Sequence, residues 1–215
     1  MSVAHHEQVS AIYGLSGTFR KSNLYTVFDP QPGVSNMFTV LDEGQHKAMS
    51  RQLGSAFSLS TMRELEPLND VCTAIIVKKF EDAAKAGKIV KMHEWMQWYA
   101  FDVITELTFS KRLGFMDREE DVNGLMQVNY RRLQYATTVG QVPWVHKYLL
   151  GNPLLAPMLA KFDKANIIVQ FALQQVQRYG SKGAEAHGHR DLLDRLKRIE
   201  GNTDEDLLVH ATNSL

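Results

Sequence analysis

DEGQHKAMSRQLGSAFSLSTMRELEP, residues 42–67, opens with Asp42 three positions ahead of Gln45, the spacing of a helix cap and its reciprocal partner. Met49, Leu53, Ala56 and Phe57 then recur at i, i+4, i+7 and i+8, which places them on one helical face. Thr61 and Glu64 repeat the cap spacing, and Pro67 either begins or kinks a second helix that runs to about Ala86, where Gly87 ends it. Two capped, striped helices joined by a short polar turn point to a helical architecture.

The pattern extends outward in both directions. Upstream, VAHHEQVSAIYG reads as a short helix with Val9, Ile12 and Tyr13 on one face, ended by Gly14 and Gly17. Leu15 to Leu41 has little periodicity, two prolines and several aromatics; an irregular stretch of that length in a compact domain is functional or mobile. Downstream, KIVKM is a candidate short strand, and a strongly apolar helix carrying Trp95, Trp98, Phe101 and Val103 then runs to near Lys111. Glu119 to Val142 reads as a further helix, VPWVHKYLLGNP as a turn, and Pro153 to Tyr179 as a long striped helix. Residues 181–190 form a polar linker before the helix DLLDRLKRIE. In NTDEDLLVHATNSL, residues 202–215, Thr203 and Asp206 cap a helix whose stripe of Leu207, Leu208, Ala211 and Leu215 is still open at the last residue. The class is mostly α, with few or no strands.

Composition narrows the function. The 24 basic and 24 acidic residues cancel and are mixed along the chain, which argues against nucleic acid as a partner. A single cysteine, Cys72, excludes an internal disulfide and a multi-thiolate metal site; its apolar neighbours mark it as a small buried hydrophobe. No metal site is expected: His5-His6 and His187-x-His189 lack carboxylate or thiolate partners at ligand spacing. The acids from Asp117 to Asp121 suit the positive end of a helix. Neither a transmembrane run nor an apolar signal core is present.

Three stretches carry a family likeness. SAIYGLSGTFRKSNLYTVF, the 42–67 stretch, and TDEDLLVHATNSL resemble, in order and spacing, cytochrome P-450, the haem-thiolate monooxygenases, and especially fungal microsomal members. The resemblance implies a partial cytochrome P-450 fold, from the second helix to the start of the ninth, so residues 1–215 are expected to form a single incomplete domain. The family's AGxDT-like segment, ExxR motif and cysteine loop do not occur here, and Cys72 matches the fourth helix, far from the ligand's usual place. The complete enzyme is expected to bind haem b, to take electrons from an NADPH-dependent reductase, and to insert one oxygen atom into a lipophilic small molecule. It is expected on the cytosolic face of the endoplasmic reticulum membrane, with no anchor in this chain. The chain alone is expected to be inactive, not thiolate-ligated and marginally soluble, and no catalytic residue is assigned within it.

Candidate site residues follow from the same resemblance. The family binds a haem propionate from its third helix through an aromatic or histidine and an arginine four residues later. His46 matches the first position; Ser50 stands at the second, a departure, and the nearest arginine is Arg51. At 3.6 residues per turn Ser50 lies about 40° from His46 and Arg51 about 140° away. His46 and Ser50 are therefore expected to face the cofactor, with haem held more weakly than where the arginine is present; a capping surface or core histidine is the competing reading. Phe38, Thr39 and Val40 occupy the family's pocket-wall position, with loop packing as the alternative. Trp144, Tyr148, Leu149 and Leu150 match a lid turn that can touch a membrane surface, and they suit core packing equally.

Two other classes compete. A self-sufficient all-helical binding or interaction module would use an apolar pocket without catalysis. A ligand-sensing transcription regulator would need an amino-terminal helix-turn-helix with basic groove-facing residues, which VAHHEQVSAIYG does not supply.

Overall fold

The computed structural model describes residues 5–14, 19–29, 35–150, 152, 154, 173, 174, 177 and 191–197. Its elements in chain order are α1 (Gln8–Tyr13), a 3-10 helix (Asn23–Phe28), α2 (Glu43–Leu53), α3 (Leu59–Lys85), α4 (Met92–Phe109), α5 (Phe115–Arg118), a 3-10 turn (Val122–Gly124), α6 (Leu125–Val139), a 3-10 helix (Pro143–Tyr148) and α7 (Leu192–Lys197). No strand occurs among the described residues, so KIVKM forms none, and α4 begins at Met92. Most of the helix expected over 153–179, the linker 181–190 and the terminal helix 203–215 lie outside the described residues.

Asp42 caps α2 as its sequence predicts, its carboxylate accepting from the Gln45 N–H at 2.7 Å. The apolar stripe is only partly buried: Leu53 and Ala56 are covered, whereas Phe57 is 49 % exposed. The helix stops at Leu53, so Phe57 sits in the following turn and leaves the shared face. Ser58, not Thr61, caps α3, accepting from the Thr61 N–H at 3.3 Å; the Thr61 hydroxyl donates back to the Ser55 carbonyl at 3.0 Å. The helix begins at Leu59 and passes through Pro67, so the proline neither starts nor ends it. Gly87, at φ +62, terminates the run as expected.

The core lies where α3 and α4 cross. Cys72 and Ile76 of α3 meet Trp95 and Trp98 of α4, and Phe115 and Met116 of α5 close the end. Trp95 packs edge-on against both Phe80 and Trp98, with ring centroids 5.4 and 5.1 Å apart, and Phe101 stacks on Phe115 at 5.1 Å. Burial of aromatic side chains on this scale contributes about 1.5–3 kcal/mol each.

The helix expected from Glu119 to Val142 is broken. Glu119, Asn123 and Gly124 adopt left-handed backbone at φ 57, 57 and 73, so α6 starts only at Leu125. Asp121 serves that start, its two carboxylate oxygens accepting from the Met126 and Gln127 N–H groups at 2.9 and 3.1 Å. The far end of α6 is close against the first 3-10 helix, for a Cβ added at Gly140 would stand 3.1 Å from Leu24 Cγ. The face predicted for α1 is only partly covered among the described residues: Val9 is 54 % and Tyr13 83 % exposed, while Ile12 is half-buried.

Candidate functional site

Among the described residues between Lys21 and Val40 the one helical element is the 3-10 helix Asn23–Phe28. Ser22 caps the 3-10 helix Asn23–Phe28, a feature that periodicity did not reveal. Beyond it, Asn36 and Thr39 lock a tight turn. The Asn36 side-chain oxygen accepts from the Phe38 and Thr39 N–H groups at 2.8 and 2.9 Å, while the Thr39 hydroxyl accepts from the Asn36 N–H at 2.9 Å. Asn36, Thr39 and Val40 are buried; Phe38 is 57 % exposed. Its ring lies edge-on to Tyr25 and Phe28 at 5.2 and 5.8 Å. Of the three expected wall residues, only Phe38 presents its side chain outward, since Thr39 and Val40 are buried.

Lys21 was not foreseen. Its ammonium donates to the carbonyls of Met37 and Phe38 at 3.1 and 2.8 Å and lies over the Tyr25 ring at 5.5 Å. Partial burial draws its pKa below the ordinary lysine value.

A polar cluster joins this region to the 143–148 turn. The Tyr135 hydroxyl accepts from the Leu150 N–H at 3.4 Å and bonds His146 Nδ1 at 2.9 Å. Burial lowers the His146 pKa, and the negative charge of Asp29 draws it partly back. Burial raises the Asp29 pKa, against the Thr39 hydroxyl and then the His146 charge, and Asp29 Oδ1 has no hydrogen-bond partner among the described residues. On the outer side of the turn Trp144, Tyr148 and Leu149 are 65, 56 and 37 % exposed, while Leu150 is half-buried.

The haem-edge candidates all fall on α2. His46 is half-buried, and Ser50 is exposed one turn later. Arg51 is exposed too and stands on a different side of the helix. His46 and Ser50 carry the groups to hydrogen-bond a carboxylate such as a haem propionate. Cys72 is completely buried in the α3/α4 core, where burial first and the Glu106 charge next push its thiol up to about 12. A thiol so placed stays protonated and is packed among core side chains. Among the described residues no three histidine, cysteine or acidic groups gather to hold a metal. His5 stacks on His6 near the described amino end, and His187 and His189 lie outside the described residues.

An apolar groove of about 800 Å3 runs between α4 and α6, lined by Ala100, Phe101, Val103, Ile104, Met126 and Leu133 among others. Phe101 and Val103 of the apolar helix are half-buried here and also pack against the main cluster.

The profile described as Cytochrome P-450 matches residues 1–213. The chain belongs to the cytochrome P-450 family. It is similar to a cytochrome P-450 monooxygenase of Aspergillus terreus, 30% identical over 211 residues that cover 93% of this chain and 42% of that protein. Monooxygenase gsfF of Penicillium aethiopicum is 30% identical, over 96% of this chain and 42% of its own. Monooxygenase pkfB of Emericella nidulans is 26% identical, over 94% and 41% respectively. The chain thus spans about two-fifths of the length of these relatives. The cytochrome P-450 assignment agrees with the all-helical described structure and with the three stretches that carried the likeness.

Proposed function

We propose that this chain supplies the pocket wall and one haem edge of a haem-dependent monooxygenase acting on a lipophilic small molecule. The observation that carries the reading is the braced turn Asn36–Val40, which holds an exposed Phe38 immediately before the helix bearing His46 and Ser50. Haem b with a thiolate ligand would supply dioxygen activation. What these residues do is narrower: Phe38 offers an apolar surface to substrate, and His46 with Ser50 offers hydrogen bonds to a propionate. Iron ligation falls to a thiolate other than Cys72, and the chain alone is inactive on this reading. An NADPH-dependent reductase and a lipophilic substrate are the partners proposed. The exposed Trp144, Tyr148 and Leu149 suit contact with an endoplasmic reticulum surface, while no helix among the described residues is long and apolar enough to cross a membrane.

Haem titration followed by absorbance tests the edge assignment. His46→Ala is expected to weaken haem binding about fivefold, the effect of one half-exposed hydrogen bond to a charged group, and Arg51→Ala to change it little. Equal affinity in the parent and His46→Ala proteins would overturn it. The α4/α6 groove favours a second reading, a non-catalytic binding module, since its volume and apolar lining suit a drug-sized ligand. Saturable binding of a neutral lipophile that is lost in Phe101→Asp and kept in Phe38→Ala would favour that module.

A further inference from the structure

We propose that Lys21 is a positioning residue that sets how Phe38 is presented to substrate. The inference rests on reading Asn36–Val40 as pocket wall. A loop that served only to pack would bury its largest side chain; here Asn36, Thr39 and Val40 are buried and the phenyl ring is left out. That ring is nevertheless fixed. Its own carbonyl and that of Met37 both accept from the Lys21 ammonium, across 17 and 16 residues of chain. The same ammonium lies over Tyr25, whose ring meets the Phe38 edge. One cation therefore ties the backbone of the wall and the aromatic floor beneath it into a single unit. Charge-assisted hydrogen bonds to two carbonyls are stronger than neutral ones, and a side chain ordered before binding loses less entropy when it binds. Lys21 need not touch substrate for this; it acts through Phe38.

The test places para-fluorophenylalanine at position 38 of the chain and compares the parent, Lys21→Met and Lys21→Arg by fluorine NMR. Binding of the neutral fluorophore phenylnaphthylamine is measured in parallel. Lys21→Met is expected to move the fluorine resonance toward the position of the free amino acid and to weaken probe binding about three- to tenfold. Lys21→Arg, which keeps charge and donors, is expected to restore both. A fluorine spectrum unchanged in Lys21→Met overturns the assignment, as does failure of Lys21→Arg to restore the parent spectrum. The pocket-wall reading fails on a different measurement: Phe38→Ala with undiminished probe affinity contradicts it, whatever the fluorine spectra show.

Discussion

Asp102→Ala is expected to destabilise the chain by about 4 kcal/mol, most simply measured as a shift in the urea midpoint. Asp102 is completely buried on the inner side of α4. One carboxylate oxygen accepts from the Gly114 and Phe115 N–H groups at 2.7 and 3.1 Å, the other from Met116 at 2.9 Å. These donors open α5, where the helix itself offers them no acceptor. Alanine leaves the buried Phe115 and Met116 N–H groups and the half-buried Gly114 N–H without this acceptor, and an unpaired N–H costs about 1–3 kcal/mol when buried. The loss also frees Phe115 and Met116, both fully buried in the main cluster, so the damage extends to packing. Asp102→Asn keeps one acceptor oxygen but turns an amide N–H toward donors, and an intermediate loss is expected. An unchanged midpoint in Asp102→Ala would show that this end of the core is organised by packing alone.

The second large effect depends on pH. Asp191 is fully buried at the start of α7, accepting from the Asp194 N–H at 2.9 Å and from the Ser110 hydroxyl at 3.1 Å. Burial is the dominant cause that raises its pKa from 3.8 to about 6, against the Asp194 N–H and Ser110 bonds. The folded chain therefore binds the proton more tightly than the unfolded one. Its contribution to stability is fully present below pH 3.8 and is lost as pH rises through about 6. The difference between those values corresponds to about 3 kcal/mol. Asn keeps an acceptor for the Asp194 N–H and carries no charge. The stability of Asp191→Asn relative to the parent is thus expected to rise by about 3 kcal/mol between pH 3.5 and pH 7.5. A constant difference across that range would mean that Asp191 titrates as it does in the unfolded chain.

What was legible in the sequence was local. The Asp42 cap, the end of α3 at Gly87 and the apolar helix around Trp95 and Trp98 all follow from short-range spacing, and all three are observed. The break before α6 was hidden because Asn123 and Gly124 interrupt the backbone without interrupting the acid-rich, helix-like composition around them. Thr61 was mistaken for a cap because Ser58, with the same chemistry, stands three residues earlier and has the extended backbone a cap requires. Asp102 did leave a signal: a carboxylate flanked by Phe101, Val103 and Ile104 is costly to bury unless something donates to it. Its partners lie 12 to 14 residues away, so their identity was not readable from the pattern. Lys21 is the extreme case, since its two carbonyl partners are brought to it by the loop's fold, and carbonyls leave no trace in residue type.

For the site, residue class was legible and orientation was not. Phe38, Thr39 and Val40 were equivalent as letters; the Asn36–Thr39 turn separates one outward aromatic from two buried residues. His46 and Ser50 share a side of α2 because helix geometry requires it, and Arg51 falls away for the same reason.

On the proposed reading, this chain shapes a pocket beside haem and the iron's thiolate is a residue other than Cys72. That reading is tested most directly by loading the chain with haem, reducing it, and recording the carbon monoxide difference spectrum alongside Cys72→Ser. Identical spectra from the two proteins, with no thiolate-ligated band in either, are the result expected of a thiol buried and pushed up to about 12. A thiolate-type band in the parent that disappears in Cys72→Ser would contradict the account.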